Sequence, residues 1–386
     1  MKIVHLSDLH IGAKIDKEER IEEFQEIFSF IKDFLKKESV KILFITGDVF
    51  DSYYPSHESL DLFYGFMKEV SDIVEKTFII SGNHDSSSFL GVNRHFFNER
   101  GIKIFYDISE DFNNLKEEFV IDGEKILVQG LPYINDVKIL YTILKNKGLE
   151  GVNISEYKSI YDGIISVFKN IAKSSDANYK VFMAHLLIDI PLSFTSEVEI
   201  FSLDPSIFQD NPYNYVALGH VHRFSKINRL DNIYYAGSLL RLNFGEKNDE
   251  KGFILIDTSS NSVKFIPVPA WGMQEVELNG VSSLLDLEKM IDIKYKDKTI
   301  YKFRISYKSP LTYSEIIDYL KKNYGNMLRL EAKLVNRGYD KSDLDIFQMD
   351  ENDIILNFYK RYKGVDDDNP LLIEFKNNLL ELLNEN

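Results

Sequence analysis

Lys41-Ile42-Leu43-Phe44-Ile45-Thr46-Gly47-Asp48 is an apolar run that stops abruptly at a glycine and a carboxylate, and its reading decides the fold. A run of four to six residues rich in Ile, Val, Leu and Phe, bounded by Gly, Ser or Asp, is the pattern of a fully buried strand. Four other stretches repeat it. Lys2-Ile3-Val4-His5-Leu6-Ser7 ends in Asp8-Leu9-His10, and Thr77-Phe78-Ile79-Ile80-Ser81 ends in Gly82-Asn83-His84-Asp85. Lys180-Val181-Phe182-Met183-Ala184 ends in His185, and Tyr215-Val216-Ala217-Leu218 ends in Gly219-His220-Val221-His222. Metal-type ligands thus stand where five buried strands run out, and the carboxyl ends of strands are where open α/β architectures place their sites. If these segments stay extended, residues two apart face the same way, so Asp8 pairs with His10 and His220 with His222.

The donors are carboxylate, amide and imidazole, and the chain contains no cysteine. That mixture suits manganese, iron or zinc better than calcium or a structural zinc knot. Of the eight histidines, five (His10, His84, His185, His220, His222) fall at these strand ends. His5 lies inside a strand run, while His57 and His95 lie in helical stretches, and these three read as structural or surface residues.

The bulk composition sets the frame for these motifs. A chain of 386 residues, 44% hydrophobic and 28% charged, has room for two or three domains with sizeable cores. No stretch approaches the roughly 18 apolar residues that span a bilayer, and no leader precedes Asp8, so a cytoplasmic protein is expected. The absence of cysteine excludes disulfides, zinc ribbons and thiol catalysis. A net charge of -15 argues against coating nucleic acid by bulk electrostatics, though not against a nucleic-acid enzyme. Residues 340–386 hold 12 acidic and 5 basic side chains, which concentrates part of that charge in the tail, away from the ligand clusters.

Alternating strand and helix patterns over residues 1–268 predict an α/β layered fold. Ile21, Phe24, Ile27, Phe28, Ile31, Phe34 and Leu35 have helical spacing and cover one face of the sheet. Asp122-Gly123 marks a hairpin, and residues 232–269, with a turn at Asn261, are expected to add more antiparallel strands. Pro267-Val268-Pro269-Ala270-Trp271-Gly272 reads as a boundary. Beyond it the pattern is strand 274–278, helix 282–291, strand 299–307, helix 313–324 and strand 328–335, a βαβαβ unit with no ligand cluster. Two amphipathic stretches close the chain, one through Ile354, Ile355, Phe358, Tyr359 and Tyr362, the other through Leu371, Leu372, Phe375, Leu379, Leu382 and Leu383. Periodicity alone leaves open whether they pack on their own domain or dock a partner's helix.

At Asp8-Leu9-His10, Gly47-Asp48, Gly82-Asn83-His84-Asp85, His185 and Gly219-His220-Val221-His222 the sequence resembles the calcineurin-like metallophosphoesterases. It resembles most the SbcD-type nuclease subunits of double-strand-break-repair complexes. Asp85 closing the third motif, Gly47-Asp48-Val49-Phe50-Asp51, the run from Tyr215 to Arg223, Tyr235-Ala236-Gly237-Ser238 and Phe244-Gly245-Glu246 carry that narrower likeness. The resemblance implies a layered β-sandwich core flanked by helices, with a small α+β cap and a C-terminal helical tail. On this reading residues 1–268 form the nuclease domain, 269–338 the cap that controls DNA access and 339–386 the tail. Carried over by motif position, Asp8, His10 and His222 hold one metal and Asn83, His185 and His220 the other, with Asp48 bridging. Manganese, DNA as substrate and an SbcC-like ATPase with a coiled coil that grips the tail are implied too, as is a homodimer within a heterotetramer. Two departures stand out: Ala184 replaces a usual glycine before His185, and Asp51 stands where archaeal and eukaryotic relatives carry a histidine.

Two divalent ions about 3.5–4 Å apart acidify water and neutralise the charge that gathers on phosphorus during in-line attack. His84, beside a ligand but not one itself, is expected to stabilise that charge or protonate the departing sugar oxygen. Asp85 is expected to fix the tautomer of a neighbouring imidazole. The competing readings are a phosphatase or cyclic-nucleotide phosphodiesterase using the same metals, and a non-enzymatic scaffold.

Overall fold

The computed structural model describes residues 1–15, 18–108, 112–134, 157–188, 202–227, 230–325 and 328–335. Two six-stranded sheets pack face to face. In the first, Lys2–Leu6, Ile42–Thr46, Lys76–Ile80 and Ile102–Phe105 run parallel, and the hairpin Gly252–Asp257/Ser262–Pro267 adds to Lys2–Leu6 in the antiparallel sense. In the second, Glu124–Leu131, Tyr179–His185, Tyr215–Gly219 and Ile233–Tyr235 run parallel, bounded by Lys116–Ile121 and the short Ser225–Lys226.

Strand alternation assigns the faces. Ile3, Ile42, Phe44, Phe78 and Ile80 join the core shared with the second sheet, whereas Val4, Leu43, Ile45 and Ile79 pack with the helices outside. Helix Ile21–Glu38 buries Phe24, Ile27, Phe28, Ile31 and Leu35 on that outer face. Its neighbour His57–Ser71, capped by the Ser56 side chain on Ser59 N, stacks Phe66 on Phe28 with ring centroids 4.1 Å apart. Helix Tyr157–Ser174 covers the far face of the second sheet, with Phe168 against Phe182. The result is the layered sandwich that the sequence predicts, helices outside and two sheets within.

Both expected turns are present, with left-handed Asp122 and Gly123 closing one hairpin and Asn261 in the other. The stretch 232–269 divides, however. Gly252–Asp257 and Ser262–Pro267 form one antiparallel pair, while Ile233–Tyr235 joins the other sheet, antiparallel to Ser225–Lys226 on one edge and parallel to Tyr215–Gly219 on the other. His5 is buried between the sheets, bonded to Tyr215 Oη and Thr46 Oγ1 at 2.9 Å each, and His57 and His95 are exposed.

A third sheet of Gly272–Val281, Thr299–Tyr307 and Leu328–Leu334, all parallel, carries helices Leu284–Met290 and Tyr313–Tyr324 over a core of its own. Thr312 and Glu315 form a reciprocal capping box on the second helix. Trp271, Phe244, Met273, Ile300 and Ile15 make a smaller cluster between this unit and the sandwich. Residues 339–386, with both amphipathic stretches, lie outside the described residues. Among the described residues no helix is long and apolar enough to cross a membrane.

Candidate metal centre

The parallel strands of both sheets deliver their carboxyl ends to one rim, and the loops leaving them interlock. Asp8 N donates to Gly47 O at 3.1 Å, His10 N to Asp48 O at 2.9 Å and Ile11 N to Val49 O at 3.0 Å, so the first two loops lie side by side. His220 N donates to Asp8 Oδ1 at 2.9 Å, which joins the loops across the two sheets. The backbone here is not extended. Strand Lys2–Leu6 has ended before Asp8, and Asp8, His10, Asp48 and His220 all have positive φ, four of nine such non-glycine residues among those described. Left-handed backbone outside glycine concentrates at functional sites, where surrounding structure holds it. Asp8 with His10 and His220 with His222 do reach one cavity, but through strained turns rather than strand alternation.

Glycines make room for this crowding. A Cβ on Gly82 would stand 2.1 Å from Asp48 Oδ1, and one on Gly47 2.2 Å from His185 Nδ1. Ala184, by contrast, sits in regular strand paired with Leu131 and Leu218, so the glycine usual in relatives is not required for its backbone.

The side chains of Asp8, His10, Asp48 and His222 are buried, with ligand atoms all within 4.8 Å of one another. Asn83 Oδ1 lies 2.8 Å from His185 Nε2 and 3.1 Å from His220 Nδ1 on the other side. Between the groups stands Asp48, whose Oδ2 is 3.5 Å from His10 Nε2 and 3.4 Å from His185 Nε2. That oxygen has no hydrogen-bond partner although it is buried. His185 Nδ1 lies 2.8 Å from Thr46 O, His10 Nδ1 3.1 Å from Asp51 Oδ1 and His222 Nδ1 3.1 Å from Glu246 Oε1. Carbonyl and carboxylate oxygens only accept, so each Nδ1 donates and each Nε2 turns its lone pair inward. Lone pairs converging on an orphan carboxylate oxygen fit a divalent cation, as does the carboxylate, amide and imidazole set itself.

The clustered carboxylates call for positive charge, whether from a cation or from protons on the rings. Despite burial, which favours the neutral ring, the Asp48 carboxylate pushes His185 up to about 9, and Asp51, Asp48 and Asp8 raise His10. Against its own burial, Asp48 is held below the carboxylate range by His185 and His10. Burial and the Asp48 charge push Asp85 up to about 6. Its carboxylate accepts from Val49 N, Phe50 N and Gly82 N at 2.8–3.1 Å, so it ties the second and third loops together and fixes no imidazole, a correction to the sequence reading. Orientation falls instead to Asp51 and Glu246. Despite burial, Glu246 is held at about 2 by His222 and Lys251, and it carried no ligand spacing that would reveal it in sequence. His84 is half-buried, with its N on Asp48 Oδ1 at 2.9 Å, its Nδ1 3.0 Å from Asp51 O and its ring 4.8 Å from that of His10.

Beside this centre a cleft of about 570 Å³ separates loop 242–247 from the open face of the third sheet. Lys14, Lys247, Lys302, Arg304 and Arg329 line it, with Glu275 the one acid among its lining residues.

The model of the calcineurin-like phosphoesterases matches residues 1–224, more than half the chain. The chain belongs to that family. This phosphoesterase is similar to two proteins named as the D subunit of the nuclease SbcCD. The one from Staphylococcus epidermidis is 26% identical over 93% of each chain, and the one from Staphylococcus saprophyticus 24% identical over 94% of each. A crystal structure from Thermus thermophilus covers 69% of the phosphoesterase and 98% of its own chain, at 11% identity and a TM-score of 0.42.

Proposed function

We propose that the chain is a manganese-dependent DNA nuclease of the SbcD type, an exonuclease on duplex ends and an endonuclease on single strands or hairpins. The observation that carries this reading is Asp48 Oδ2, buried, without a hydrogen bond and flanked by two inward-facing imidazoles. Asp8, His10 and His222 would hold one ion and Asn83, His185 and His220 the other, with Asp48 shared. A bound pair of divalent ions supplies an acidified water and neutralises charge on phosphorus. The chain contributes orientation and a proton. Because Nδ1 of His84 is engaged by the Asp51 carbonyl, Nε2 is the nitrogen it turns to a substrate, and we assign it the proton for the departing sugar oxygen.

The cationic cleft supports an extended polyanion over a small ester, since five basic side chains gather there on a chain of net charge -15. The two staphylococcal relatives, both named as nuclease subunits, support the same choice. The proposal takes residues 1–268 as the nuclease domain, 269–338 as the cap over the DNA path and 339–386 as the docking site for the coiled coil of an SbcC-like ATPase. It places the complex in the cytoplasm, with two copies of the chain in a heterotetramer.

The test is cleavage by the purified chain, with manganese, of a linear duplex, a hairpin and bis(p-nitrophenyl) phosphate, alongside metal content by mass spectrometry. Manganese-dependent DNA cleavage and two ions per chain are expected. Turnover of the small diester with DNA untouched would indicate a phosphatase, and at most one ion under saturating manganese would sink the two-metal reading. Co-purification of an ATPase from the native cell tests the partner.

A further inference from the structure

We infer that Glu246 is a positioning residue for His222, and that the buried Lys251 is the countercharge that allows it to be one. The inference rests on reading His222 as a ligand of the proposed metal pair. Glu246 Oε1 accepts from His222 Nδ1 at 3.1 Å and from Asn243 Nδ2 at 2.9 Å. Its Oε2 accepts from Lys251 Nζ at 2.6 Å and from Leu242 N at 3.1 Å. The Lys251 side chain is 0% exposed, and its remaining protons go to His222 O at 2.8 Å and Ser238 Oγ at 2.9 Å.

All three ammonium donors are therefore used, and two of them converge on one histidine, one through its backbone and one through the carboxylate behind its ring. A buried ion pair is a poor way to gain stability, because desolvation offsets much of the attraction. What this pair does achieve is a fixed ring. With Nδ1 tied to Glu246, Nε2 of His222 faces His10 Nε2 at 3.2 Å, inside the ligand cluster with Asp8 and Asp48. Carboxylates behind ligating imidazoles raise metal affinity by fixing tautomer and direction, and their loss lowers it by about 10–100-fold.

The experiment is a manganese titration of the full chain by calorimetry, with melting of the metal-free protein followed in parallel. Glu246→Ala should weaken one of two ions by about 10–100-fold and leave the other unchanged. Lys251 would be left buried without its counter-ion in that variant, so the double change Glu246→Ala with Lys251→Met keeps the test valid if the single variant fails to fold. It should show the same selective loss with melting close to that of the parent, and Glu246→Gln, which keeps an acceptor for Nδ1, should recover most of the affinity. Two ions bound by the folded alanine variants with parental affinities would overturn the inference and leave the nuclease reading standing. Equal weakening of both ions with a lowered melting temperature would assign the pair a merely structural role. Fewer than two ions on the parent chain would remove the reading beneath it.

Discussion

The strand-end rim and the open face of the third sheet are both dense in charge, yet they treat it in opposite ways. At the rim Asp8, His10, Asp48 and His185 are at most 1% exposed, on backbone forced left-handed at the first three, and one carboxylate oxygen is left without a donor. On the open face Lys302, Arg304 and Arg329 alternate with Glu275 and Glu331 in regular strand, paired at 3.0–3.9 Å, and most of these side chains reach solvent. Exposed pairs of that sort contribute little to stability and exchange partners readily. The rim holds a charge deficit that only a cation or a proton can fill, whereas the sheet face holds cations that a phosphate can recruit by displacing a carboxylate.

Removing the Asp48 carboxylate should have the largest effect. Asp48→Asn keeps the shape but not the charge, and DNA cleavage is expected to fall by about 10³-fold or more, several kcal/mol of transition-state stabilisation, with fewer than two manganese ions retained. Parental rates with a full complement of metal would detach Asp48 from catalysis. His84→Leu should lower turnover by about 10²–10⁴-fold, the usual reach of general acid catalysis, while metal content and DNA affinity stay at parental values. Loss of the metals in that variant would show that His84 holds an ion.

The interior between the sheets supplies a third case, smaller in effect. His5 is a histidine of the opposite character from His185, since burial pushes it down to about 3 and keeps it neutral. The unfolded chain then binds this proton near pH 6.5 and the folded chain does not, so stability is present in full above pH 6.5 and declines as the pH falls toward 3. Between pH 6.5 and 4 that decline is on the order of 3 kcal/mol. Denaturant melts of the parent and of His5→Gln should show it as a pH slope that the variant lacks, and parallel slopes would mean His5 takes up its proton when folded. The smallest stability change is expected at the sheet face. Arg304→Gln should leave the melting temperature close to that of the parent, while each phosphate interaction removed there should reduce the salt dependence of DNA binding by about 0.9 in log-log slope. An unchanged salt slope would take the cleft out of the DNA path.

Much of this was legible because an apolar run that ends on a carboxylate or an imidazole encodes two things at once, a buried strand and the place where it stops. Phe44 and Phe78 announce the sandwich interior, and helical spacing from Phe24 to Leu35 announces its cover. The turn geometry was not legible, since left-handed φ at Asp8, His10, Asp48 and His220 is imposed by loop against loop across distant segments. Nor were Asp51 and Glu246, because a carboxylate behind an imidazole has no fixed spacing from it in sequence. Asp85 went astray for the same reason: its partners are backbone amides, which every residue except proline carries.

Lys2–Leu6 is an inner strand of its sheet, bordered on one side by Ile42–Thr46 and on the other by Gly252–Asp257, with Lys2 opposite Asp257. During synthesis, then, Lys2–Leu6 leaves the ribosome long before Gly252–Asp257 and waits for that strand before its second edge is covered. Closure over so long a separation in sequence is slow, and the uncovered edge is prone to pair with other chains in the meantime. Release of a nascent chain short of residue 257 should yield insoluble product, whereas chains extending past residue 267 can shut the sheet.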